Sequence, residues 1–150
     1  MQVTYGDFVL DDALERIDFA VCHGWLSGSY WSPGITRAEV EHGFRNSTLV
    51  VGAYREGVQV GCLRVASDRT RFAYVMDVFV EPGSRSQGLG KALMRFALEH
   101  PDLALVYKWL LGTADAHDVY RALGFDNVVQ PERLMSLERS RPWIKESTDK

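Results

Sequence analysis

Phe72-Ala73-Tyr74-Val75-Met76-Asp77-Val78-Phe79-Val80, followed by Glu81-Pro82-Gly83-Ser84-Arg85-Ser86-Gln87-Gly88-Leu89-Gly90-Lys91, is the stretch on which the fold turns. Its first half is a β-branched and aromatic run that suits a strand, and Glu81-Pro82 stops it. A helix is expected over 88–100, because Leu89, Leu93, Phe96, Ala97 and His100 fall on one face at helical spacing and Pro101 ends it. A mostly apolar run over 103–111 reads as the next strand, with Trp109 in the core. Strand, helix and strand in that order make a crossover, the connection that two parallel strands require.

Outward from this unit the signals change to hairpins. Residues 49–55 and 58–66 are strand-like and flank Glu56-Gly57, a turn pair that joins antiparallel neighbours. Thr36-Arg37-Ala38-Glu39 is a capping box that opens a helix running to about Asn46. Residues 24–34 hold three glycines, a proline and three large aromatics, which reads as a loop. Before it, 11–22 is expected to be helical with Asp11-Asp12 at its N-terminus, and 1–8 to be one short strand. After the crossover, 115–123 suits a short helix closed by Gly124 and Phe125 in a Schellman stop, and Val128-Val129 with 134–139 would close the sheet as an antiparallel pair. The expected class is α/β of the α+β type: one mixed, mostly antiparallel sheet of six or seven strands with about four helices. A single domain over 1–140 would carry a polar tail over 141–150, in which Trp143 and Ile144 are apolar enough to dock.

Composition narrows the function classes. With 150 residues, 46% hydrophobic and 25% charged, the chain supports one domain with a real core. Lys and Arg number 17 against 20 Asp and Glu, a net charge of −3, which argues against nucleic-acid binding through bulk electrostatics. Cys22 and Cys62 lack metal-ligand spacing and are too few for a disulfide framework; they fit a reducing compartment and small buried hydrophobes. The first residues lack the basic head and apolar run of a signal peptide, and no stretch reaches the roughly 20 apolar residues of a membrane span. A cytoplasmic location without a membrane partner is the expectation.

The loop over 81–91 carries the chemistry. A strand, a glycine-containing loop and a helix start together form an anion site, since the first helical N–H groups are unpaired and the dipole is positive there. Gly88 and Gly90 would let a phosphate approach the backbone, and Arg85 and Lys91 add charge. A P-loop does not fit: with Gly90-Lys91 aligned, Arg85 takes the place of the first glycine and Ala92 that of the hydroxyl residue. A dinucleotide fingerprint fails at Leu93, where the third glycine belongs. The pattern Arg/Gln-x-x-Gly-x-Gly/Ala does fit, with Arg85, Gly88 and Gly90 in place.

On these residues the chain resembles the GNAT superfamily of acyl-CoA N-acyltransferases. Asp77-Val78-Phe79-Val80-Glu81-Pro82 is similar to the strand that precedes the loop in that family, and Tyr120-Arg121-Ala122-Leu123-Gly124-Phe125 to its Tyr-x-x-x-Gly-Phe signature. The likeness is specific over 72–125 and looser over 48–139. It implies that backbone amides from Ser86 through Gln87, Gly88, Leu89 and Gly90 to Lys91 hold the pyrophosphate of acetyl-CoA. It also implies that Val78, Phe79 and Val80 splay from the next strand through a bulge. Their freed backbone groups would bind the pantetheine arm, and one N–H, from Phe79 or Val80, would polarise the thioester carbonyl. Tyr120 is implied to be the general acid for the thiolate, with packing of its ring on the sheet as the plain alternative. Where the family carries an Asn on the cofactor arm this chain has Thr113, while Ala116 matches.

The acceptor end is less determined. Asp77 interrupts an apolar strand, so it is a base acting through water, a group orienting a cationic amine, or a structural hydrogen-bond partner of the nearby loop. His117, Glu41 and His42 are weaker candidates. Tyr30 and Trp31 either stack an acceptor, as the covering segment in the family does, or anchor their loop to the core. The implied activity is transfer of an acetyl group to a small-molecule primary amine by direct attack in a ternary complex, without a metal. The rivals are N-terminal or lysine acetylation of a protein, and a non-catalytic coenzyme A sensor. The resemblance also leaves a homodimer open.

Overall fold

The computed structural model describes residues 1–143, which form two compact units, one over Met1–Gly112 and one from Thr113 on. Ile144 and the rest of the expected tail lie outside the described residues.

The first unit is built on a six-stranded sheet in sequence order: β1 (Gln2–Tyr5), β2 (Phe8–Asp11), β3 (Leu49–Arg55), β4 (Val58–Ser67), β5 (Ala73–Val80) and β6 (Trp109–Leu110). Every neighbouring pair is antiparallel except β5 and β6, which the crossover makes parallel. Helices α1 (Phe19–Leu26) and α2 (Arg37–Arg45) enclose a core of Ile17, Cys22, Leu26, Val40, Phe44, Val50 and Cys62. Helix α3 (Leu89–Leu98) packs on β3, β4 and β5, burying Leu89, Leu93, Met94, Phe96 and Ala97. Among the described residues no helix is long and apolar enough to cross a membrane.

The expected capping box is present: Thr36 Oγ1 accepts from Glu39 N–H at 3.2 Å and Glu39 Oε2 accepts from Thr36 N–H at 2.7 Å. The β3–β4 hairpin turns at Glu56 and Gly57, both with positive φ (50° and 79°), as a tight right-twisting hairpin requires.

Four expectations are corrected. Residues 1–8 are not one strand: the chain turns at Gly6-Asp7, and β1 and β2 pair as a hairpin. The helix over 11–22 is displaced. Asp11 ends β2 opposite Gly52, and its carboxylate accepts from Ala13 N–H and pairs with Arg16 at 2.6 Å. The true N-cap is Asp18, whose side chain accepts from Val21 N–H, so α1 continues through Gly24 and Trp25 to the buried Leu26. Only Trp109–Leu110 of the expected strand over 103–111 is paired. Pro101–Leu103 forms a 3-10 turn held by Asp102 N–H on His100 Nδ1, Leu103 alone plugs the core, and Leu105 and Tyr107 are exposed. Trp109 itself is only half-buried.

The second unit holds α4 (His117–Arg121), so the described residues contain four α-helices. The expected Schellman stop is present: Gly124 has φ 95°, its N–H donates to Arg121 C=O, and Phe125 N–H donates to Tyr120 C=O. The fourth correction is here. Residues 128–129 and 134–139 form no strands; a 3-10 turn over Pro131–Arg133 interrupts them, and Val129, Met135 and Leu137 are exposed. Local apolar alternation alone did not build a ladder there.

Candidate active site

The strand that feeds the loop is distorted a few residues before the loop begins. β4 and β5 pair from Ser67 opposite Ala73 to Arg64 opposite Met76, then resume with Cys62 opposite Phe79 and Gly61 opposite Val80. Asp77 and Val78 thus oppose Leu63 alone, a β-bulge. Asp77 carries the distortion at φ 55°, in the left-handed region that Asp tolerates better than a β-branched residue would.

The bulge also decides which backbone groups are free. Glu81 N–H donates to Val60 C=O at 2.8 Å. Backbone groups alternate sides along a strand, so Phe79 faces β4 and Val80 faces the opposite side. On that side β6 pairs only with Ala73 and Tyr74 and then ends. The Val80 N–H, and Val78 two residues earlier, therefore point into a splay with no strand of the sheet beside them. Of the two sequence candidates for an exposed donor, the register selects Val80.

Beyond Val80 the chain makes a 3-10 turn over Pro82–Ser84, in which the buried Ser84 Oγ donates to Glu81 Oε1 at 3.0 Å. Arg85, Ser86, Gln87 and Gly88 are exposed. Gly88 (φ 77°) is the left-handed cap of α3, and Ala92 N–H donates the first helical bond to Gly88 C=O. Hence the N–H groups of Leu89, Gly90 and Lys91 precede the helical ladder and converge on the loop. From behind, Tyr5 Oη donates to Gln87 C=O at 2.9 Å and Arg55 Nη2 to Gln87 Oε1 at 3.1 Å. A Cβ at Gly88 would lie 2.4 Å from Tyr5 Oη, whereas one at Gly90 would meet nothing nearer than Val80 Cγ2 at 4.0 Å. Arg85 does not simply extend into solvent: its Nε donates to Val80 C=O at 2.8 Å and its guanidinium lies 5.3 Å from the Phe79 ring centre.

The loop after α1 meets the same strand. Trp31 Nε1 donates to Asp77 Oδ1 at 3.1 Å, and Arg64 Nε donates to Asp77 Oδ2 at 2.6 Å. The Asp77 side chain is 8% exposed. Trp25, expected in the loop, sits on α1 and stacks on Phe79 at 5.2 Å. Tyr30 and Trp31 remain exposed and meet edge to face at 5.1 Å. Trp25 and Trp31 both anchor to β5, the first by stacking on Phe79 and the second by its bond to Asp77, while the rings of Tyr30 and Trp31 stay exposed.

Arg64 was missed by the sequence reading. Its signal was present: it is the lone charge in an apolar strand, and the hairpin register sets it beside Asp77, the lone charge in the next. Of the weaker candidates, Glu41 pairs with Arg45 at 2.9 Å along α2, His42 is exposed on the same helix, and His117 is exposed at the start of α4. Cys22 and Cys62 are buried free thiols. A hydrogen bond to Cys22 and then burial push the Cys62 thiol well up, so it stays protonated and a poor nucleophile.

In the second unit, Thr113 Oγ1 accepts from Ala116 N–H at 3.1 Å, which uses the hydroxyl to begin α4. Tyr120 is half-buried on α4, its ring edge-on to Phe125 at 6.1 Å.

Comparison with known proteins agrees with this architecture. Residues 13–125 match the profile of the acetyltransferase (GNAT) family. A protein of Xanthomonas campestris pv. campestris described as belonging to the GNAT family is 34% identical, with a TM-score of 0.85 over 91% of this chain and 96% of that one. A Deinococcus radiodurans R1 protein described as a candidate acetyltransferase is 26% identical, with a TM-score of 0.72 over 93% of this chain and 94% of that one. A Clostridium acetobutylicum protein solved with acetyl-CoA shares the fold at 15% identity, with a TM-score of 0.67 over 87% and 96% of the two chains. No curated protein matches. The splayed strand, the glycine-capped helix start and the profile match over 13–125 agree, and the chain belongs to the GNAT family of acetyltransferases.

Proposed function

We propose that the protein transfers an acetyl group from acetyl-CoA to the primary amine of a small molecule, by direct attack while both substrates are bound. The observation that carries this reading is the Val80 N–H, turned out of the ladder next to a loop of helix-start amides. Its features fit a thioester with a pyrophosphate tail: a free donor on an extended strand, then Gly88 in the left-handed region, then Gly90 with no close neighbour.

In this reading the amides of Ser86, Gln87, Gly88, Leu89, Gly90 and Lys91 hold the pyrophosphate, where the helix dipole favours negative charge. Backbone groups of Val78 and Val80 hold the pantetheine arm. Arg85 gives up its bond to Val80 C=O as the arm arrives, and its charge moves toward the phosphates. The Val80 N–H hydrogen-bonds the thioester oxygen and stabilises the negative charge that grows on it during attack. By the family resemblance Tyr120 gives its phenolic proton to the departing thiolate, while the attacking nitrogen sheds its proton to water and so restores the phenol. The family resemblance assigns Thr113 and Ala116 to the arm, and within the second unit Thr113 contributes structure to α4 rather than a side-chain amide. Tyr30 and Trp31 form the acceptor wall, and their aromatic rims favour a compact cationic or planar amine over a polypeptide. Modification of proteins is the second reading, and a chain laid across Tyr30 and Trp31 would be its mark.

A panel of small amines incubated with acetyl-CoA tests the proposal, read by free thiol release and product mass. One amine, or one chemical series, should give a product heavier by an acetyl group, with thiol released in equal amount. A flat panel alongside tight acetyl-CoA binding would overturn the assignment in favour of a sensor.

A further inference from the structure

We propose that Asp77 is a positioning residue, which with Arg64 clasps Trp31 to the bulge and so sets the acceptor wall against the Val80 donor. The proposal rests on the functional reading above in two respects, that Val80 is the donor and that Tyr30 and Trp31 face the acceptor.

Both oxygens of the carboxylate are already engaged as acceptors. Oδ1 accepts from the Trp31 indole at 3.1 Å, Oδ2 accepts from Arg64 at 2.6 Å, and the side chain is 8% exposed. Each oxygen keeps a lone pair, but the side chain offers an amine almost no open surface through which to reach it. Arg64 is itself held in place, with Nη1 donating to Ser47 Oγ at 3.4 Å and the guanidinium lying 5.9 Å from the Phe44 ring centre. The clasp therefore joins four pieces of chain: β4 through Arg64, the bulge through Asp77, the α2–β3 connection through Ser47, and the 27–35 loop through Trp31.

Two consequences follow from where Asp77 sits. The same residue that adopts φ 55° at the bulge also fixes the indole, so the step that frees Val80 and the step that places Trp31 share one residue. Moreover, Arg64 balances the Asp77 charge. Cation recognition at this wall thus falls to the faces of Tyr30 and Trp31 rather than to a free carboxylate. Within the loop, Ser29 and Ser32 hydroxyls donate to Leu26 C=O at 2.8 and 2.9 Å, holding its base, while Trp31 is its hydrogen-bonded link to β5.

Two variants and their combination separate positioning from base catalysis. Trp31→Phe keeps a ring and removes the donor; Asp77→Asn keeps an oxygen for the indole and removes the charge that pairs with Arg64. Each should raise the amine KM by about 5- to 20-fold, with kcat and the acetyl-CoA KM within about twofold of wild type. The double variant should be no worse than the weaker single, because both break one linked contact. The acidic limb of kcat/KM against pH should stay in place in Asp77→Asn. A fall in kcat of about 100-fold with loss of that limb would make Asp77 the base and overturn the proposal. An unchanged amine KM in Trp31→Phe would overturn it as well.

Hydrogen exchange over 27–35 needs no amine and separates failure of the clasp from failure of the functional reading. Its amides should exchange about tenfold faster in Trp31→Phe than in wild type. If no amine is turned over, that experiment still decides the clasp, and equal exchange rates would overturn it.

Discussion

Replacing Gly88 by Ala is expected to weaken acetyl-CoA binding by roughly 30- to 150-fold while leaving the domain folded. Gly88 has φ 77°, and an L-residue held in the left-handed region costs about 1–2 kcal/mol. The new Cβ would also lie 2.4 Å from Tyr5 Oη, which donates to the neighbouring Gln87 carbonyl. Relief requires giving up that hydrogen bond, worth about 1 kcal/mol net, or turning the chain away. In the free protein the exposed loop relaxes; binding then has to restore the strained form, so the whole cost of about 2–3 kcal/mol falls on affinity. Gly90→Ala is the comparison. Its Cβ meets nothing nearer than 4.0 Å, so its effect should be no more than about threefold, or some 0.6 kcal/mol. Calorimetric titration of both variants with acetyl-CoA checks the contrast. Wild-type affinity in Gly88→Ala would remove this loop from the donor site.

Tyr120→Phe is expected to lower kcat by about 100-fold or more, the contribution of a positioned general acid. The ring and its edge-on contact with Phe125 survive the change, so α4 and its Schellman stop should persist. Acetyl-CoA affinity should stay within about threefold. Steady-state turnover and equilibrium binding on the same preparation read the two effects separately. Unchanged turnover would mean that the thiolate takes its proton from another source.

How much of this was legible in sequence depends on how local each determinant is. The capping box at Thr36 and Glu39, the Glu56-Gly57 turn and the Schellman stop at Gly124 each involve a few consecutive residues, and each formed as read. The loop over 85–90 was legible for the same reason. The first 26 residues were not, because distant partners decide them. Asp11 looked like a helix N-terminus but is claimed by the ladder to β3, and Asp18 N–H is held by Gln59 Oε1 at 2.7 Å across 41 residues. Apolar content over 103–111 suggested a full strand, yet only two residues are paired where β5 and β6 part.

The candidate site divides in the same way. Its glycines and Tyr120 carry a readable pattern. The choice between Phe79 and Val80 hangs on one extra residue in the bulge at Asp77, and each inserted residue reverses which way later N–H groups point. No residue type announces that count. The Arg64–Asp77 pair lay between these cases, readable by setting two lone charges of facing strands side by side, but only once the hairpin register was known.

The central claim is that acetyl-CoA lies along the splayed strand and over the start of α3. The backbone amide spectrum of isotope-labelled protein, followed as acetyl-CoA is added, tests it most directly. The largest shifts should fall on residues 86–91 and on Val78 and Val80, with Phe79 moving less because its N–H is held by β4. If those amides stay still while others move, the ligand lies elsewhere and the donor site assigned here is wrong.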